Sequence, residues 1–72
     1  MSDALSAVLP KDTLTDREHT VLRLIRQGYS NLEIGSELSL SVNTIKAIIR
    51  RIMDKVGLDN RVELAVWYQE KA

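Results

Sequence analysis

The sequence has no cysteine. That excludes a disulfide framework, a cysteine-based zinc finger and a thiol nucleophile. It has no phenylalanine, and aromatic residues make up only 4% of it, so single strands are not expected to bind on stacked aromatic rings. With one histidine, a metal site would have to be built from carboxylates, and no acidic cluster is present. Neither charge is in excess, 10 Lys and Arg standing against 10 Asp and Glu. A uniformly basic nucleic-acid binder is thereby excluded, and the distribution of charge becomes the informative quantity. No run approaches the roughly 20 apolar residues of a membrane span. The opening MSDALSAVLPKDT also lacks the basic n-region of a secretory signal. The expectation is a soluble, cytoplasmic chain with no membrane partner and no cofactor.

What is present fits one small globular domain: 72 residues, 44% of them hydrophobic, too short a chain to enclose a deep catalytic pocket as well. Residues 1–13 read as a flexible N-terminal arm, because Pro10 bars helix at Leu9 and removes a backbone donor. Residues 14–72 read as the domain. Thr15 with Glu18, Ser30 with Glu33 and Asn60 with Glu63 are spaced as capping boxes, each opening a helix. Gly28 and Gly57 stand where left-handed residues close helices. The pattern predicts helices from about Asp16 to Gly28, over 31–38, over about 42–56, and from Asn60 to about Gln69, with no strand. The third helix has an apolar stripe of Ile45, Ile48, Ile49, Ile52 and Val56.

Charge is uneven along this pattern. Residues 1–18 carry −2 and residues 57–72 carry −1, while residues 46–56 hold Lys46, Arg50, Arg51 and Lys55 against Asp54 and carry +3. Asn43, Lys46, Ala47, Arg50 and Asp54 lie on the face opposite the isoleucines. These side chains suit the major groove: Lys and Arg donate to guanine, Asn pairs with adenine, and Ala leaves room for a thymine methyl. An 8-residue helix, a tight turn and a longer helix with a basic outer face make a helix-turn-helix. Free amides at the helix starts near Ser30 and Ser41 are suited to phosphates, and Thr44 offers a hydroxyl.

The run from Leu14 to Val66 resembles the LuxR/GerE-type DNA-binding domain. The matching elements are Leu14-Thr15, Arg17-Glu18, Val21-Leu22, Gly28, Ser30-Asn31, Glu33-Ile34, Leu38, Ser41, Thr44-Ile45-Lys46, Lys55, Gly57, Arg61 and Ala65, without a gap. The resemblance implies an all-α fold: a four-helix LuxR-type helix-turn-helix domain with a tri-helical, winged-helix-like core plus a fourth helix. It implies a bacterial transcriptional regulator whose third helix reads double-stranded DNA, as a homodimer through the fourth. Carried over by position, Lys46, Ala47 and Arg50 are base-reading, and Asn43 joins them from the face analysis. Ser30, Asn31 and Thr44 fall at positions that touch the sugar-phosphate backbone, and Ser41 and Arg51 complete that set. Glu18 matches a structural acid. The sequence departs from the family at Gly35, often Ala, at Ile48, often His, and at Ser39, commonly Gly. Gly35 is expected to weaken its helix by up to about 1 kcal/mol relative to Ala.

The fourth helix carries Val62, Leu64, Ala65, Val66, Trp67 and Tyr68, more apolar residues than one inward stripe needs. Leu64, Trp67 and Tyr68 are the expected dimer contacts. Other readings use the same residues. A sigma-factor promoter-recognition region shares the opening motif, but normally ends near the recognition helix. A protein-interaction module would bind another regulator or RNA polymerase through Trp67 and Tyr68. An enzyme is not expected, because His19 has no nucleophile or zinc motif beside it and reads as a surface residue.

Overall fold

The computed structural model describes residues 14–71, with side chains to residue 70. The expected arm at 1–13 lies outside the described residues. Among the described residues four helices follow one another: α1, Asp16–Arg26; α2, Asn31–Leu38; α3, Val42–Val56; and α4, Arg61–Lys71. No strand occurs among the described residues. The bounds of α2 and α3 are those the sequence predicts, and α4 runs two residues further.

The helix starts are fixed by side chains that satisfy otherwise orphaned amides. Thr15 and Ser30 form reciprocal capping boxes with Glu18 and Glu33. Ser41 Oγ accepts from the Thr44 amide at 3.1 Å. Asn60 Oδ1 accepts from the amides of Val62 and Glu63 at 2.8 and 3.2 Å, which is the cap side of the expected third box. The stops are equally specific. After α1, Gly28 is left-handed, with φ +92°; its amide bonds to Ile25 O, and the Tyr29 amide to Leu24 O, which makes a Schellman motif. Gly57 closes α3 with φ +77°.

The turn between α2 and α3 is tighter. Ser39, a non-glycine, is left-handed at φ +59°, and the Leu40 amide returns to Gly35 O at 2.8 Å. This turn overturns the expectation for Gly35. A Cβ at that buried position would lie 2.5 Å from the Leu40 carbonyl oxygen. The close approach of the turn therefore calls for glycine there.

The core joins one face of each helix. Val21, Leu22 and Ile25 of α1, Ile34 of α2, the whole predicted stripe of α3, and Leu64 and Tyr68 of α4 are buried in one cluster with Leu14. Ile48 fills core, as its place on the stripe predicts. The packing of α4 is chiefly on α1, while α3 packs on α2 and α1. His19 is not the simple surface residue expected. It is half-buried, and its Nδ1 shares a 3.1 Å hydrogen bond with the Tyr68 hydroxyl. The Arg26 guanidinium lies 5.5 Å from the centre of the same tyrosine ring. Together these contacts hold α4 on α1.

Candidate nucleic-acid interface

The buried stripe of α3 turns its opposite face outward. Asn43, Lys46, Ala47, Arg50, Arg51 and Asp54 are all exposed, as are Ser30, Ser41 and Thr44. The predicted base-reading and backbone-touching side chains are thus open to solvent, with only Asn31 half-buried. This side chain set offers planar and point-charge donors over a single rigid helix.

Lys55 does not belong to that face. Its Nζ lies 2.7 Å from Glu18 Oε1, across the gap between the end of α3 and the start of α1. Glu18 is 1% exposed and also accepts from the Thr15 amide at 2.9 Å. Burial works against its ionisation, but Lys55 and Thr15 outweigh that cost and hold its carboxyl below the ordinary value. Its Oε2 is buried without a hydrogen-bond partner among the described residues. Glu18 is therefore both cap and cross-brace, the bracing role that the resemblance implied. With Lys55 neutralised, Lys46, Arg50 and Arg51 remain against Asp54, a net +2 on the outward face of α3.

The caps also set which hydroxyls have protons to give. Ser41 Oγ donates to Thr44 Oγ1 at 3.0 Å, so the Ser41 proton stays inside the cap. Thr44, accepting that bond, keeps its own hydroxyl proton for an outside acceptor. Ser30 Oγ accepts from the Glu33 amide at 3.2 Å and likewise retains a donor.

One contributor went unassigned in the sequence. Arg61, the first residue of α4, donates from Nη1 to Asn31 Oδ1 at 2.6 Å and from Nη2 to Tyr29 O at 2.7 Å. A shallow cleft joins these residues to the exposed face; it is lined by Asn31, Lys46, Ile49, Arg50, Met53 and Arg61. The only signal of Arg61 in the sequence was its place in the family pattern, since its partners lie 30 and 32 residues away.

The expected dimer contacts need correction. Leu64 is fully buried and Tyr68 is 7% exposed. Both are held inward by packing against α1, so neither can present a surface to a second chain. The outward apolar residues of α4 are Val62 and Val66, 70% and 49% exposed. They flank the half-buried Trp67 in a shallow groove with Leu58, edged by Glu63 and Glu70. Among the described residues no group of three or more His, Cys, Asp or Glu is placed to hold a metal, and no helix is long and apolar enough to cross a membrane.

The family model described as bacterial regulatory proteins, luxR family, matches residues 12–68. The transcriptional regulatory protein LiaR of Bacillus subtilis is 41% identical over 59 residues, covering 82% of this chain and 28% of LiaR. The nitrate/nitrite response regulator protein NarL of Escherichia coli K12 is 38% identical over 58 residues, covering 81% and 27%. The transcriptional regulatory protein DesR of Bacillus subtilis is 38% identical over 71 residues, covering 99% and 34%. The chain thus spans about a third of the length of these relatives.

Proposed function

The chain belongs to the luxR family of bacterial regulatory proteins, and from that premise we propose that it is a sequence-specific, double-stranded DNA-binding transcriptional regulator whose α3 reads the major groove. The observation that carries the reading is the exposed Asn43–Lys46–Ala47–Arg50 face, set opposite a buried isoleucine stripe on the same helix. A helix so anchored presents its donors with little freedom to lose on binding.

Roles follow from position. Asn43, Lys46, Ala47 and Arg50 meet base edges. Ser30, Asn31, Ser41, Thr44 and Arg51 meet the backbone, Ser41 through the start of α3 and Thr44 through its hydroxyl. The modest net charge of the face implies low non-specific affinity and a shallow salt dependence, because few phosphates are neutralised. The active species is a homodimer formed through the outer face of α4, with Val62, Val66 and Trp67 as its contacts. That arrangement sets two copies of α3 on half-sites about 34–36 Å apart. The names of LiaR, NarL and DesR, regulatory proteins of transcription or nitrate response, are in keeping with this assignment.

The alternative, a module that binds another regulator or RNA polymerase, loses an anchor with the burial of Tyr68 but retains the apolar, acid-edged groove on α4. Selection of bound sequences from a random duplex pool separates the two. An enriched inverted repeat is the expected result. No enrichment, together with no duplex binding at low salt, would overturn the DNA reading in favour of the protein partner.

A further inference from the structure

The Arg61 contacts carry a consequence for the backbone-touching set. A guanidinium has only donors. The atom of the Asn31 amide that meets it at 2.6 Å is therefore the oxygen, and the amide orientation is fixed. With the oxygen turned to the guanidinium, the donor that the side-chain amide has left to offer is its NH2 group. That group sits on the first residue of α2, beside the exposed Ser30 hydroxyl, in a cleft shared with Lys46 and Arg50. An unrestrained asparagine could present either its oxygen or its nitrogen, and the oxygen would repel a phosphate.

The second Arg61 bond, to Tyr29 O, ties the same guanidinium to the turn before α2. Two charge-assisted bonds from a rigid fork define a position, not only an attraction. Both acceptors are neutral, so the positive charge of Arg61 is not cancelled by this clamp. No carboxylate pairs with it among the described residues.

We propose that Arg61 is a positioning residue for DNA binding: by holding Asn31 Oδ1 and Tyr29 O, it presents the Asn31 amide NH2 to a backbone phosphate. The proposal deepens the DNA-binding reading and rests on it. It separates the fork of Arg61 from its charge. Arg61→Lys keeps the charge but cannot hold both acceptors in one plane.

The test is a double-mutant cycle with Arg61→Lys and Asn31→Ala in the 72-residue chain. The probe is a short mixed-sequence duplex, titrated over a range of low salt concentrations and followed by fluorescence anisotropy. Each single variant is expected to bind about three- to tenfold more weakly, the worth of one phosphate hydrogen bond. Arg61→Lys should leave the slope of affinity against salt unchanged, because no charge is lost. In the Asn31→Ala background, Arg61→Lys should have little further effect. Thermal melts establish that each variant is folded at the assay temperature. Should Arg61→Lys not fold, the Asn31 side-chain amide signals of the parent chain, followed by NMR during titration with the same duplex, replace it. They are expected to shift early and strongly, and an unmoved Asn31 NH2 would overturn the proposal. So would wild-type affinity in Arg61→Lys, or additive losses in the double variant. Failure of the parent chain to bind any duplex would overturn the DNA reading itself, which is a distinguishable result.

Discussion

Replacing Gly35 by alanine sets two effects of opposite sign against each other. Helix propensity alone favours alanine by about 1 kcal/mol in a helix interior. Against this stands the Leu40 carbonyl oxygen, 2.5 Å from where the new methyl would be, when ordinary contact begins near 3.4 Å. The obstructing atom is backbone, so the overlap cannot be relieved by a side-chain rotation. The turn must move outward, stretching the bond from the Leu40 amide to Gly35 O. Overpacking of this kind costs about 1–3 kcal/mol, and the weakened hydrogen bond about 1 kcal/mol more. The steric term wins, leaving a net loss of about 1–3 kcal/mol. For a domain of this size that is a fall in Tm of about 4–24 °C. Urea denaturation followed by far-UV circular dichroism measures it. Ser36→Ala, at the exposed neighbouring position, isolates the propensity effect and should stabilise by about 0.5 kcal/mol. A Gly35→Ala midpoint equal to or above the parent, with unchanged m, would refute the account of the turn.

Four further outcomes follow. Ser39→Gly, which removes the side chain from a left-handed residue, should raise stability by about 0.5–1 kcal/mol after the entropy of the freer unfolded chain is counted, as the same denaturation experiment would show. Lys55→Met leaves the Glu18 carboxylate buried without its cation and should cost about 3–5 kcal/mol, with Glu18→Gln in the same background restoring part of it. Glu18 has its carboxyl held below the ordinary 4.5, so its stabilisation is fully present above that pH and is lost as pH falls through the folded-state value; thermal melts across the acid range should show this dependence vanish in Glu18→Gln. Lys46→Ala and Arg50→Ala should each lower affinity for the selected duplex by about 1–3 kcal/mol with unchanged melting, and unaltered binding in both would remove α3 as the reading helix.

The helix bounds were readable because capping is local. Thr15 with Glu18, Ser30 with Glu33, and Asn60 with Glu63 each lie within one turn, so the sequence holds both partners side by side. The isoleucine stripe was readable for a similar reason, since periodicity in one helix decides its buried face. What escaped were contacts across the chain. Lys55 counts as a free cation until Glu18, 37 residues earlier, is known to face it. Arg61 is one more charge until Asn31 and the Tyr29 carbonyl are found beneath it. On α4, the sequence offers Leu64 and Tyr68 as surface because the helix has more apolar residues than one stripe requires. Which of them turn inward is decided by α1, through His19 and Arg26, and that is invisible in the helix itself. Gly35 failed in the same way: its neighbour is a carbonyl that a turn five residues later brings back.

The placement of α4 against α1 also bears on how the chain reaches its fold during synthesis. The contacts between α2 and α3 are close in sequence and can form as soon as both have emerged. The inner face of α1 is different, because its partners come last: Tyr68 follows His19 by 49 residues. Val21, Leu22 and Ile25 are therefore left partly uncovered until α4 is made. Contacts of long sequence separation also form slowly. A chain truncated after Gly57 would keep the helix-turn-helix connection yet lack the last helix that α1 packs against. Such a truncated chain should bind hydrophobic dyes and melt without cooperativity, whereas the full chain should do neither.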